Sequence, residues 1–217
     1  MILAIDTSTR LISIALHSGR QLLAEHSWHS ANQHSVELAP AIEKMLVNAG
    51  VSTNELQALA VAQGPGSFTG LRIGIAVAKA MALALQVPLV AVPTFDITAY
   101  ATPYFKGSLY VAVQAGRGRI HVLRYRWQKG RWSQADEAEN TDWETFMQGL
   151  DKTALISGDI DAHGYALLEE ADKGIGIASG TQRLRRAGYL AELALQQLAE
   201  GEPPDPSLVK PIYLNTL

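Results

Sequence analysis

Apolar positions open the chain as a short unbroken run at residues 2–5, which ends on Asp6. Two further strand-like stretches follow at 11–16 and 21–28, set off by the polar turns 7–10 and 18–20. Close spacing with Gly and Ser punctuation predicts three antiparallel strands in a meander. The period then changes from two to 3.6. Leu38, Ala39, Ile42, Met45, Leu46 and Ala49 share one face, the mark of an amphipathic helix, and Gly50 closes it. Pro40 lacks an N–H, so this helix is expected to begin near Val36 or to kink at the proline. A strand at 56–62, a helix at 71–85 and a strand at 87–92 complete the first half, and Pro93 ends it.

Three strands followed by helix, strand, helix and strand is the order of a ribonuclease-H-like α/β domain. A short helix at 94–100 leads to a seam at Thr102-Pro103. The second half begins again with strands at 108–113, 120–127 and 131–133. It continues with a helix at 143–150, a strand at 154–157 and helices at 165–171 and 183–198. The run Glu202-Pro203-Pro204-Asp205-Pro206 breaks helical structure, and 208–217 is expected to be extended or irregular. The expectation is therefore two α/β halves, a larger one at 1–103 and a smaller one at 104–217.

Composition narrows the function classes. Of 217 residues, 47% are apolar and 18% charged, which is globular composition. With 18 basic and 21 acidic side chains the net charge is −3, against a stand-alone electrostatic nucleic-acid binder. No cysteine is present, which excludes disulfides, a cysteine nucleophile and thiolate metal sites. No basic n-region precedes the first apolar run, so no signal peptide is read. Arg72 and Lys79 interrupt the most apolar helix short of the roughly 18 uncharged residues of a membrane span. A cytoplasmic protein is expected.

Three segments carry candidate chemistry. Asp6, Thr7 and Ser8 form a strand-end turn that either caps a hairpin or holds a phosphate or hydrated cation. The loop from Gly64 to Gly70 contains Gly64, Gly66, Ser67 and Thr69. It reads equally as an anion-binding turn before a helix, capped by Ser67 or Thr69, and as a tight connection for close helix–sheet packing. It lacks the Gly-Lys-Ser/Thr ending of a Walker A loop. The helix at 71–85 is apolar almost all round, with Arg72 and Lys79 as its charged residues, and is rich in Ala and Gly. Such a helix needs cover on both sides, from its own fold or from another molecule. The six histidines show no metal-ligand spacing, and no Gly-x-Ser-x-Gly elbow occurs. A basic run from Arg117 to Arg131, with no acid inside it, reads first as a solvated hairpin face and second as a contact for RNA or an acidic partner.

Three strings together resemble one family: Ile5-Asp6-Thr7-Ser8; His34-Ser35-Val36-Glu37-Leu38-Ala39-Pro40; and Gly64-Pro65-Gly66-Ser67-Phe68-Thr69-Gly70-Leu71-Arg72-Ile73-Gly74. It is the bacterial TsaB (YeaZ) family, relatives of the glycoprotease-like TsaD proteins. The match is strong over about the first 100 residues and holds only in outline beyond them. The resemblance implies the two-lobed actin-like/Hsp70-like ATPase-domain fold with a reduced second lobe. It also implies a non-catalytic role in making N6-threonylcarbamoyladenosine beside the anticodon of tRNA. The implied partners are a TsaD-type catalytic subunit, a TsaE-type ATPase and, when alone, a second copy, with tRNA met only through the complex.

The implied partner face lies on two helices, through His34, Glu37, Ala41, Lys44, Met45, Asn48, Arg72, Ile75, Ala76, Lys79 and Leu83. No intrinsic cofactor or metal is implied: Leu38 stands where the catalytic relative has its second metal histidine. A nucleotide at the partner interface is compatible with the resemblance. The turn Gln114-Ala115-Gly116-Arg117-Gly118-Arg119 departs from the family's acidic turn at Gln114, Gly116 and Arg119. The alternative reading is a stand-alone ATP-binding phosphotransferase or a glycoprotease-like peptidase, motivated by Asp6 and the glycine loop. A bare scaffold without a link to tRNA is the third.

Overall fold

The computed structural model describes residues 1–31, 33–171, 174–201 and 205–214. The chain divides into two units, Met1–Ile97 with Arg185–Ile212, and Thr98–Leu184 with Tyr213–Leu217. The expected division at 103/104 is thus corrected, since a late segment returns to the first unit.

In the first unit β1 (Ile2–Asp6), β2 (Leu11–His17) and β3 (Leu22–His29) form the expected meander. β4 (Ala58–Gly64) and β5 (Leu89–Pro93) add in parallel, giving the order β3-β2-β1-β4-β5. Central β1 is buried along its whole length because both faces of the sheet are covered. Leu3 and Ile5 join a core with α1 (His34–Ala49) and α2 (Phe68–Leu85). Ile2 and Ala4, on the opposite face, join a second core with α6 (Ala187–Glu200). That second core is rich in alanine on both sides, Ala4, Ala15, Ala58, Ala60 and Ala62 against Ala187, Ala191 and Ala194. Small side chains let α6 lie close to the sheet.

The helix expected from residue 183 therefore starts four residues later and belongs to the first unit. Its first N–H groups find partners on the sheet: Ala187 N donates to Ser13 Oγ at 2.9 Å and Gly188 N to Glu25 Oε1 at 2.7 Å. Glu25 also pairs with Arg186 at 2.6 Å.

α1 begins at His34, before the expected Val36, and runs through Pro40 to Gly50, whose φ of 65° is the left-handed C-terminal cap. Pro40 forfeits only the bond to the carbonyl of Val36, an exposed residue.

In the second unit, after α3 (Thr94–Ala101), the strand order is β11-β10-β6-β7-β8, with β9 also pairing β7. These are β6 (Ser108–Gly116), β7 (Arg119–Gln128), β8 (Arg131–Gln134), β9 (Glu139–Asp142), β10 (Ala154–Gly158) and β11 (Ile175–Ile177). α4 (Trp143–Gln148) and α5 (Ala162–Glu169) pack there on a core containing Tyr110, Ile120 and Ile156. A Cβ on Gly164 would lie 2.2 Å from the Trp143 ring, so this glycine sets how closely α5 approaches α4. The expected break at Glu202–Pro204 and the last three residues of the expected tail lie outside the described residues. Pro206–Leu208, from the end of the expected break to the first residue of that tail, is a single 3-10 turn.

Candidate docking surface and glycine loop

The turn after β1 is closed from within. Asp6 Oδ1 accepts from Ser8 N at 2.8 Å and from Ser8 Oγ at 2.5 Å, an Asx turn. Asp6 Oδ2 faces Arg185 Nε at 3.3 Å, with both side chains only 1% exposed. Arg185 also donates to Thr9 Oγ1. Of the two readings of Asp6, a hairpin cap or a holder of phosphate or hydrated cation, these contacts show the cap, with the carboxylate faced by a guanidinium from late in the chain.

The glycine loop is packed against that same turn. Ser67 N donates to Ser8 O at 2.6 Å, and Thr7 Oγ1 donates to Gly70 O at 2.8 Å. A Cβ would lie 2.1 Å from Ser8 O at Gly66, 2.2 Å from Thr7 O at Gly70 and 2.1 Å from Thr7 Oγ1 at Gly74. At Gly64 (φ 111°) it would lie 2.6 Å from Ile212 O. These glycines exist so that α2 can touch the β1–β2 turn and the C-terminal segment. Ser67 caps α2 by accepting from Gly70 N at 3.2 Å, while Thr69 is exposed and makes no cap. Thr7, Ser8, Gly64 and Gly66 are thus occupied by the chain itself. Close packing accounts for the glycines of the loop.

α2 is 18 residues long and has a mean hydropathy of 1.6, enough by length and composition to cross a membrane. Here Leu71, Ile75, Ala78 and Ala82 fix one side of it to the sheet. The other side carries Phe68, Arg72, Ala76, Ala80, Leu83 and Ala84 in the open, with Phe68 58% and Leu83 56% exposed. Arg72 lies over the Phe68 ring at 5.0 Å. Lys79 Nζ reaches Ser207 O at 2.8 Å, so the C-terminal segment flanks this face. Leu208, also exposed, follows directly.

On α1, Lys44 and Asn48 are exposed and Glu37 and Ala41 half-buried. Glu37 accepts from Trp28 Nε1 at 3.1 Å, and the Ser30 hydroxyl with this indole holds its carboxyl below the usual range. Three expected face residues need correcting. Met45 and Ile75 belong to the core between the helices and the sheet, and His34 is buried against the β1–β2 turn. His34 Nε2 is 2.9 Å from Thr9 O, and neighbouring Leu38 is core as well. Sequence reasoning overlooked Phe68 and Ala80 on the exposed side, although both stand in the segment it singled out. Nothing in the sequence signalled Arg185.

In the second unit Gln114, Gly116 and Arg119 belong to the β6–β7 hairpin. Arg117 and Gly118, the two central residues, have positive φ, at 54° and 74°, as a tight primed turn requires, and Gly116 before them has φ 78° beside the register shift of the pair. Gln114 Nε2 donates to Asp159 O at 3.4 Å, and Arg119 donates to Asn140 O at 2.7 Å. Among the described residues no group of three His, Cys, Asp or Glu is placed to hold a metal ion.

Residues 24–163 match the family model "TsaD: tRNA N6-adenosine threonylcarbamoyltransferase". A Bacillus subtilis relative, "tRNA threonylcarbamoyladenosine biosynthesis protein TsaB", is 31% identical over 203 residues, covering 91% of this chain and 88% of its own. The chain belongs to the TsaB family of TsaD-like proteins. The structure of YeaZ from Pseudomonas aeruginosa superposes with a TM-score of 0.81 at 28% identity, over 98% of this chain and 99% of that one. At 10% identity, the activator of 2-hydroxyisocaproyl-CoA dehydratase from Clostridium difficile aligns with a TM-score of 0.55 over 98% of this chain and 99% of its own. That likeness concerns the fold alone, and it agrees with the expected actin-like ATPase-domain class.

Proposed function

We propose that the chain is a non-catalytic cytoplasmic subunit of the machinery that makes threonylcarbamoyladenosine in tRNA. It docks on a TsaD-type catalytic subunit through the outer sides of α1 and α2, and pairs with a second copy when that subunit is absent. A TsaE-type ATPase completes the assembly, and a nucleotide bound at the partner interface fits this arrangement. The observation that carries the reading is the outer side of α2, where Phe68, Ala76, Ala80 and Leu83 make an apolar strip that small residues leave flat enough for a second helix. Family membership names the machinery.

The internal pairing of Asp6 with Arg185, and of the glycine loop with Thr7 and Ser8, supports a role without chemistry of its own. Ala76 is exposed, so replacing it with arginine leaves the fold intact and places a charge in the strip. Ala76→Arg is expected to abolish co-elution with a TsaD-type subunit in size-exclusion chromatography while the circular dichroism spectrum stays unchanged. Co-elution of a folded variant at wild-type strength would overturn the docking reading.

A further inference from the structure

The basic run from Arg117 to Arg131 is a motif that docking through α2 leaves unused. It concentrates positive charge in a chain whose net charge is −3. The structure divides its members. Arg119 is turned onto Asn140, and Arg124 is clamped by Asp136 at 2.5 Å and Asp151 at 3.3 Å. Arg126 stays exposed at a groove of about 510 Å³, where Lys106 joins it from the preceding segment.

Aromatic rings gather at the same groove. Tyr104 and Trp127 lie 5.2 Å apart at 56°, and Trp127 meets Trp132 edge-on at 5.2 Å. Trp132 is an anchor, since its N–H is donated to Thr102 O at 2.9 Å. Tyr104 is different: it is 61% exposed although it sits against another ring, and Trp127 is exposed beside it. The groove's carboxylate, Asp151, is already shared by the Ser108 hydroxyl, Arg124 and Arg126, which together hold it below the usual carboxylate range. The groove therefore presents net positive charge beside open rings. An acidic peptide would use the cations and waste the rings, and an apolar peptide would do the reverse. Unpaired bases on a phosphate backbone use both.

We propose that the Tyr104–Trp127 groove stacks unpaired bases of an RNA strand whose phosphates are met by Lys106 and Arg126. This does not depend on the docking reading, because it concerns residues of the second unit alone. The test uses the full chain and a short RNA hairpin with an unpaired loop, read by quenching of tryptophan fluorescence. The hairpin is expected to quench and to bind more tightly than an RNA duplex of equal length. Raising salt from about 50 to about 200 mM should weaken it markedly. Tyr104→Ala is expected to cost roughly fivefold or more in affinity, as loss of one stacked base does, whereas Tyr104→Phe retains it. Lys106→Glu should weaken binding without changing the fold. Absence of quenching, equal affinity for the duplex, or unchanged affinity in Tyr104→Ala would each overturn the proposal.

Discussion

Arg185 and Asp6 meet with both side chains only 1% exposed, and that fixes what each can do. A buried carboxylate needs a counter-charge, and the guanidinium supplies one at 3.3 Å while Ser8 supplies two hydrogen bonds. Arg185→Met would leave the Asp6 charge alone in the interior. The expected loss of stability is roughly 3–5 kcal/mol, measured by urea unfolding. The double variant Asp6→Asn with Arg185→Met removes both charges and should recover most of that loss. If the double variant is as unstable as the single, the pair is not what holds the turn. The same geometry explains why the turn was ambiguous in the sequence. Asp6-Thr7-Ser8 suits a cation as well as a cap, and the residue that decides between them lies far along the chain, near the start of the stretch read as the helix 183–198.

At the scale of the element, periodicity made the main strands and the helices visible. Residues 2–5 are apolar without a break because β1 is covered on both faces, and the 3.6 period of α1 follows from its single buried side. β9 was invisible because Glu-Asn-Thr-Asp has no strand pattern; pairing with β7 alone makes it a strand. β11, only three residues long, is an edge strand formed against β10. The glycine string was legible as unusual but not as one function rather than another. Glycine answers a close approach by a ligand and a close approach by Thr7 equally well, and Thr7 lies far off in sequence. Ser67 separates the two. As a cap on α2, Ser67→Ala should lower stability by roughly 0.5–2 kcal/mol and leave partner binding intact. A variant of wild-type stability that fails to bind its partner would instead make Ser67 a contact residue.

At the scale of the whole molecule, the first unit is assembled from the two ends of the chain. The helices α1 and α2 cover one face of its sheet, and α6, which follows residues 98–184 in the chain, covers the other. A contiguous division near residue 103 could not anticipate this, because the strand order of residues 1–97 already looks like a finished domain. Without α6, Ile2, Val90 and Val92 on that face and Ile97 on α3, which share its core, would lose that cover. Each such side chain contributes roughly 1.5–3 kcal/mol when buried, so four of them together rival the net stability of about 5–15 kcal/mol typical of a domain. The N-terminal meander and α2 therefore depend on residues 187–200 for their stability, and the docking strip depends on them through the sheet between. A chain ending at Leu184 is accordingly expected to lose the cooperative thermal transition of the first unit and, with it, binding to a TsaD-type subunit. Circular dichroism melts on the truncated and full chains decide it: a truncated chain that melts cooperatively at the wild-type temperature would show that the sheet stands on α1 and α2 alone.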